Sequence, residues 1–446
     1  MSARASAPEV ESTDVARRPS RVRWVVLALL CLVSFIAYVL RTNMSIAGEA
    51  MMKDLGFSEL QFGMVLAAFA WGYGLFQLPG GLFGEKVGGR LSMALIVFAW
   101  GILTLFTGLV PGPSVVPLVA GLCLLVTLRF LMGAAQAPLY PITSGVAIAA
   151  WFPVAAWGLV NSIPTTALNL GAAAAGPGVA WLTEHVGWRN SFVVTAPLGI
   201  LAAIVWWWFY RDDPAEHPSV NAGEVDLIRV GRTPAGTGVR ASWRIVLTHP
   251  GLLAITGSYF CMNYVFYLFF NWFFYYLVDI RGLPHQVGGY FTGAQWMVGS
   301  VTASLGGALC DRLCARFGPR AGCRITIVGG LLVCAPLLVA GAMVADPILA
   351  VTLLSLSFGA TQLTDGPFWA AAMRIGGEHA PAATGLMNTG GNVVGGIGAI
   401  LVPLTARHFG WVIALSTGAL FAVVGAGLWV FIRADEPMVT DRAPAS

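Results

Sequence analysis

Twelve apolar runs, most of them near the 20 or so residues that a helix needs to cross a bilayer, occupy most of this chain. They fall at 23–46, 59–82, 91–110, 115–148, 157–182 and 191–210, and again at 249–278, 286–309, 323–343, 347–373, 384–406 and 410–432. A hydrophilic stretch, 211–247, parts the first six from the last six. Only 10% of the 446 residues are charged, against about 25% in soluble domains. In lipid every backbone polar group must be satisfied internally, and continuous apolar runs of this length do so as helices. The expected architecture is an all-α membrane protein. Twelve transmembrane helices form two six-helix halves, 23–210 and 248–433, joined by the loop 211–247. The polar tails, 1–22 and 434–446, complete the chain. The first tail has no short apolar core or cleavage site of a signal peptide and reads as disordered.

Lys and Arg set the orientation, because cytoplasmic loops keep them in excess. One side takes Arg17, Arg18, Arg21, Arg23, Lys86, Arg90 and the loop arginines from Arg211 to Arg244. It also takes Arg312, Arg316, Arg320, Arg324, Arg374, Arg433 and Arg442. The other side has only Lys53, Arg189, Arg281 and Arg407. Both termini and the central loop are thereby expected in the cytoplasm, with the chain a multi-pass protein of the cell (inner) membrane.

The two halves repeat. "GLFGEKVGGR" at 81–90 and "GALCDRLCAR" at 307–316 share one register, each position 226 residues from its counterpart. The shared positions are Gly81 and Gly307, Glu85 and Asp311, Lys86 and Arg312, and Arg90 and Arg316. Parallel six-span repeats mark transporters that work by alternating access. These eight residues read as a gating latch, in which glycines admit close helix approach and acids cap a helix start or pair with arginine.

The loop pattern G-x-x-x-D/E-R/K-x-G-x-R resembles the signature of the major facilitator superfamily. Further segments resemble its anion:cation symporter family of sugar-acid, sialic-acid and vesicular glutamate carriers. They are residues 38–81, "LRFLMGAAQAPLYP" (128–141), "WFP" (151–153), "GWRNSF" (187–192), "YRDDPAEHP" (210–218) and "GLMNTGGNVVGG" (385–396). The resemblance implies a secondary transporter of a small organic anion, with the first-span arginine, here Arg41, in the anion site. It places Trp369 and Asn388 among substrate contacts and Arg129 beside a coupling acid. Where proton-coupled members carry an acid before that arginine, this chain has Leu40; where they carry a fourth-span glutamate, it has Gln136. After "WFP", "VAAWG" lacks the charges common in the family.

The residues point the same way. Ionisable groups inside spans are costly and face cavities or partners. Arg41 and Arg129 are the two arginines well inside, and a planar guanidinium suits a carboxylate through two parallel hydrogen bonds. The acid well inside is Asp365, nine residues before Arg374 and so about 13 Å from the cytoplasmic boundary. Gly366 and Pro367 follow it, a pair that opens helices beside cavities. Asp365 and Arg129 are the proton-coupling candidates. Tyr38, three residues before Arg41, Tyr73, and the stripe Asn263, Tyr267 and Asn271 at spacing four complete the substrate-binding set with Arg41, Trp369 and Asn388. Proton-independent anion exchange and efflux of apolar compounds are the alternatives. No phosphate loop, metal constellation or nucleophile pattern suggests an enzyme, and no cofactor is expected. Cys310, Cys314 and Cys323 have no histidine or second cysteine pair to complete a zinc pattern and read as packing thiols. The expected partners are a small anion, protons and the bilayer, for a chain acting as a monomer without nucleic acid.

Overall fold

The computed structural model describes residues 19–153, 156–229, 247–377, 380–436 and 438. The charged positions Arg17, Arg18, Arg244 and Arg442, and Val154 and Ala155 of "VAAWG", lie outside them. Among the described residues every regular element is helical. The N-terminal half comprises α1 (Val22–Leu55), α2 (Glu59–Val87), α3 (Gly89–Gly108), α4 (Leu118–Trp151), α5 (Trp157–Val186) and α6 (Trp188–Phe209). The C-terminal half comprises α7 (Pro250–Ile280), α8 (His285–Phe317), α9 (Pro319–Met343), α10 (Pro347–Gly376), α11 (Ala380–Phe409) and α12 (Trp411–Leu428). Nine of these are long and apolar enough to cross a membrane, and α2 joins them if its segments either side of Pro79 count as one. The other two, α5 and α8, carry polar stretches toward a central cavity, "NSIPTTALN" at 161–169 and "GAQWMVGSVTAS" at 293–304.

Packing repeats along with sequence. In the first half α1 packs on α5, α2 on α4 and α3 on α6; in the second, α7 packs on α11, α8 on α10 and α9 on α12. The halves join through α5 against α8 and α2 against α11, which are themselves related pairs. At the repeated loops a close approach falls one residue before the paired glycines Gly81 and Gly307. A Cβ on Gly80 would meet Pro138 at 2.3 Å, and one on its counterpart Gly306 would meet the carbonyl oxygen of Leu363 at 1.8 Å. A Cβ on Gly307 would find nothing within 4 Å. Leu363 sits at the break in α10, between Pro347–Gln362 and Asp365–Gly376. Pro367 has no N–H to give the Leu363 carbonyl, so the helix opens there and α8 can lie directly on it. Gly306→Ala is expected to cost about 1–3 kcal/mol by overpacking, whereas Gly307→Ala is expected to be near neutral. Comparing the two melting curves of purified protein checks this, and equal losses would refute it.

The helices overrun the apolar runs. α1 continues through Leu55, beyond the run ending at 46, and the added turns carry Glu49 and Lys53. These residues close the end of the molecule remote from the central loop. Lys53 pairs with Glu49 on its own helix and with Asp279 at 3.3 Å, His285 Nδ1 lies 3.8 Å from Glu49, and the Tyr275 hydroxyl donates to Glu59 at 2.7 Å. Lys53 and Asp279 are 226 residues apart, as are Glu49 and Tyr275, and Glu59 and His285. The Glu49–His285 and Glu59–Tyr275 contacts are therefore related copies, and the Lys53–Asp279 pair joins a position to its own counterpart.

At the loop end the central segment docks onto the first half. A short helix, Ala222–Arg229, presents Glu224, which accepts bonds from the backbone N–H groups of Val22 (3.2 Å) and Arg23 (3.1 Å) and from the Ser20 hydroxyl. The orphan donors of the α1 start are satisfied in this way, by an acid at the positive helix end. Asp212 does the same for α3, accepting from Arg90 N at 3.0 Å. His217 packs on Trp151 and Phe209, and burial, with Arg211 adding, holds its imidazole below the ordinary range.

Candidate functional site

A cavity of about 610 Å³ runs between the halves. Every residue lining it lies at the level of Arg41 or nearer the loop end: none on α1 follows Arg41, none on α7 follows Tyr267, and none on α8 precedes Trp296. The cavity is one-sided, shut at the end that carries the Lys53–Asp279 pair.

Arg41 stands at its closed head, 3% exposed. Its Nη2 donates to the Tyr267 hydroxyl at 3.0 Å and its Nη1 to the Tyr38 hydroxyl at 3.4 Å, while Nε has no hydrogen-bond partner. Aromatic rings wrap the guanidinium, with the centroids of Phe69 and Phe270 each 4.7 Å from its carbon. Cation–π contacts of this kind stabilise a desolvated cation by about 2 kcal/mol or less apiece. No carboxylate pairs with Arg41 among the described residues. A permanently charged fork thus reaches the cavity with neutral hydroxyls occupying two of its donors.

Tyr267 lies 226 residues after Arg41, the counterpart position in the second half. Its hydroxyl, the acceptor for Arg41, donates in turn to Asn392 Oδ1 at 2.7 Å. Asn392 Nδ2 donates to the carbonyl of Asn388 at 2.8 Å and its side-chain oxygen at 3.1 Å. A hydrogen-bonded chain thereby crosses from α1 through α7 to α11.

Asp365 heads the second segment of α10 and accepts from the Tyr259 hydroxyl at 3.2 Å, within the cavity wall. Trp369, one turn on, stands 6.2 Å from Tyr140 and 6.3 Å from Tyr259, between ring centroids. Gln136 Nε2 donates to the Ala37 carbonyl at 3.0 Å. An ionised carboxylate there could not make that bond. Leu40 is 1% exposed and packs in the core of the first half.

The chain matches the Major Facilitator Superfamily over residues 30–399, most of its length. It belongs to that superfamily. A protein named "Probable sulfoacetate transporter" from Cupriavidus necator is 30% identical over 95% of this chain and 96% of its own. A "Probable galactarate/D-glucarate transporter" from Bacillus subtilis is 29% identical over 86% and 85%. A "D-galactonate transporter" from Escherichia coli is 27% identical over 94% and 97%. Among solved structures, a bacterial homolog of the human lysosomal transporter Spinster, inward-facing and unoccupied, aligns with a TM-score of 0.74 at 17% identity, covering 92% of this chain and 96% of that one. A D-xylose-proton symporter gives a TM-score of 0.71 at 15% identity, covering 92% and 98%. This chain is accordingly a multi-pass membrane transporter of the superfamily and not an enzyme.

In this superfamily member the cavity gathers Tyr38, Arg41, Tyr73, Asn263, Tyr267, Asp365, Trp369 and Asn388, all singled out in the sequence. It does not gather Asn271 or Arg129. Asn271 is buried one turn beyond Tyr267, on the closed side. Arg129 is 3% exposed, with its guanidinium carbon 4.7 Å from the Phe69 ring and its Nε unpartnered, one ring away from Arg41. Of the latch positions, Glu85, Lys86, Asp311, Arg312 and Arg316 are exposed, and Gly81 has Pro141 at 3.3 Å from a would-be Cβ. Arg90 stacks on Trp207 at 4.4 Å and donates to its carbonyl. Asn392, Tyr259 and Trp296 are wall residues that sequence reasoning missed. Only Asn392 carried a usable signal, spacing four from Asn388.

Proposed function

We propose that the chain is a secondary transporter that carries a small organic acid anion across the cell membrane by alternating access, coupled to H⁺ through Asp365. The observation that carries this reading is Arg41, a buried guanidinium at the head of the cavity with no carboxylate of its own among the described residues. A substrate carboxylate takes the two donors now held by Tyr38 and Tyr267, forming the bidentate pair that guanidinium geometry favours. Tyr73, Asn263, Asn388 and Trp369 contact the rest of the molecule. The relatives named for sulfoacetate, galactarate, glucarate and galactonate support the class: each of these substrates is a short acid anion.

Twelve spans with the termini and central loop in the cytoplasm follow from the arginine distribution, and the cavity then opens inward. Displacing Tyr267 from Arg41 removes a bond between the halves and so ties anion binding to their rocking. In the opposite state the latch residues Gly81, Glu85, Lys86, Arg90, Gly307, Asp311, Arg312 and Arg316 close the loop end. Arg129, sharing the Phe69 ring, keeps the field around Arg41 positive. Exchange without protons is the second reading, and Leu40 and the carbonyl-bound Gln136 favour it. The chain works as a monomer.

Proteoliposomes holding the purified chain are expected to take up labelled galactarate or sulfoacetate faster with an inward proton gradient than without one. Uptake of neither, together with uptake of an uncharged compound, would sink the anion reading; uptake indifferent to the gradient would favour exchange.

A further inference from the structure

Three cysteines meet where α8 turns into α9 at the loop end of the second half. Cys310 and Cys314 lie one turn apart on α8, and Cys323 follows the tight turn at Gly318 (φ +84°). Their sulfurs form a nearly equilateral triangle: 3.8 Å from Cys310 to Cys314, 3.7 Å from Cys310 to Cys323 and 3.8 Å from Cys314 to Cys323. Thiolates bound tetrahedrally to Zn²⁺ at about 2.3 Å stand about 3.8 Å apart along each edge. Sulfurs in van der Waals contact stand at a similar spacing, so the telling feature is that all three thiols, from two helices, converge on one point; a pair built for oxidation would leave the third outside.

The surroundings fit the same chemistry. A Cβ on Gly322 would collide with the backbone and sulfur of Cys314 at 2.4–2.6 Å, so this glycine is what lets α9 close on Cys314. Cys310 and Cys323 are 2% and 0% exposed, whereas Cys314 is partly exposed. The solvent-facing edge of the triangle is therefore at Cys314, where a fourth ligand can enter. Arg312, Arg316, Arg320 and Arg324 flank the three positions in sequence, and Arg374 lies within electrostatic reach of Cys314. Metal binds the thiolate form, so each of these thiols gives up its proton on binding.

We propose that Cys310, Cys314 and Cys323 form a Zn²⁺ site with three thiolate ligands and one exogenous ligand. The ion staples α8 to α9 and holds the segment that carries Asp311 and Arg312 in one register. The site rests on the transport reading only for its reducing, cytoplasmic side, and binding is measured without transport.

The test uses the purified full chain, reduced with a non-thiol reagent, freed of metal by chelation and titrated with Co²⁺. One Co²⁺ per chain is expected, with thiolate-to-metal charge-transfer absorption and tetrahedral d–d bands that Zn²⁺ abolishes. Cys310→Ser and Cys314→Ser are each expected to weaken binding by more than the roughly 10- to 100-fold that losing a mere orienting partner costs. Cys123→Ser, exposed elsewhere, should change nothing. Cys314 is the variant to weigh if Cys310→Ser fails to fold, since its side chain is partly exposed. Zn²⁺ should also slow maleimide labelling of Cys314 in the parent chain and not in Cys323→Ser. A reduced parent chain without charge-transfer absorption, or bands that persist in Cys314→Ser, would overturn the site.

Discussion

Replacing Arg41 by lysine is expected to weaken binding of an organic acid anion by about 10- to 150-fold, the worth of one charge-assisted hydrogen bond at about 1.5–3 kcal/mol. Lysine keeps the charge but offers a point donor in place of a fork, and its ammonium cannot reach both carboxylate oxygens in parallel. It would also lose part of its contact with the Phe69 and Phe270 rings, each 4.7 Å from the guanidinium carbon. Arg41→Gln removes the charge as well and should abolish measurable binding, while Tyr38→Phe, which spares the guanidinium, should weaken it far less. Equilibrium binding of a labelled acid to purified protein separates these outcomes. Undiminished affinity in Arg41→Lys would eliminate the two-pronged clamp.

Asp365→Asn should separate the anion from the proton. Asparagine preserves the size of the side chain and can still accept from the Tyr259 hydroxyl, now 3.2 Å away, but it cannot exchange a proton. Substrate-driven proton uptake in proteoliposomes is expected to vanish, while exchange of labelled for unlabelled anion continues near the parental rate. In the parent chain coupled uptake should fall as the outside pH rises, because the loaded carrier needs the protonated acid; in Asp365→Asn that dependence should flatten. Proton movement that persists in the variant would transfer the coupling role elsewhere. Loss of exchange alongside proton movement would make Asp365 a substrate contact instead.

How far the chain could be read in advance depended on the kind of signal. Arg41 and Asp365 stood out because an ionisable group in an apolar run is rare and costly, and both reach the cavity. Arg129 gives the same signal yet turns its guanidinium to Phe69 away from the cavity, since composition says nothing about the rotation of a helix. Asn263, Tyr267 and Asn271 recur at spacing four in the sequence. A helix advances about 400° over four residues, so the stripe drifts about 40° per step. Asn263 and Tyr267 line the cavity, and Asn271 passes beyond its closed end. Tyr259 and Trp296 look like any packed aromatic in sequence, and only the approach of α10 and α1 gives them roles. The tightest approaches at the repeated positions belong to Gly80 and Gly306 rather than to Gly81 and Gly307, because the register of a helix crossing is set by the partner's bumps. The last turns of α1 carry Glu49, Lys53 and Asp54, charges that end the apolar run before the helix ends.

Those turns bear on how the resting carrier divides its time. The contacts shutting the end remote from the loop are partly exposed: the Lys53 side chain is 67% accessible and that of Asp279 is 29%. An exposed ion pair of this sort is worth about 0.2–1 kcal/mol, so the Lys53–Asp279 pair alone favours the shut form by about 1.4- to 5-fold. A ligand that binds the opposite form more tightly by a similar factor can reverse such a preference. The Lys53–Asp279 pair thus acts as a weak clasp, and screening it with salt should shift the resting population without touching the binding pocket.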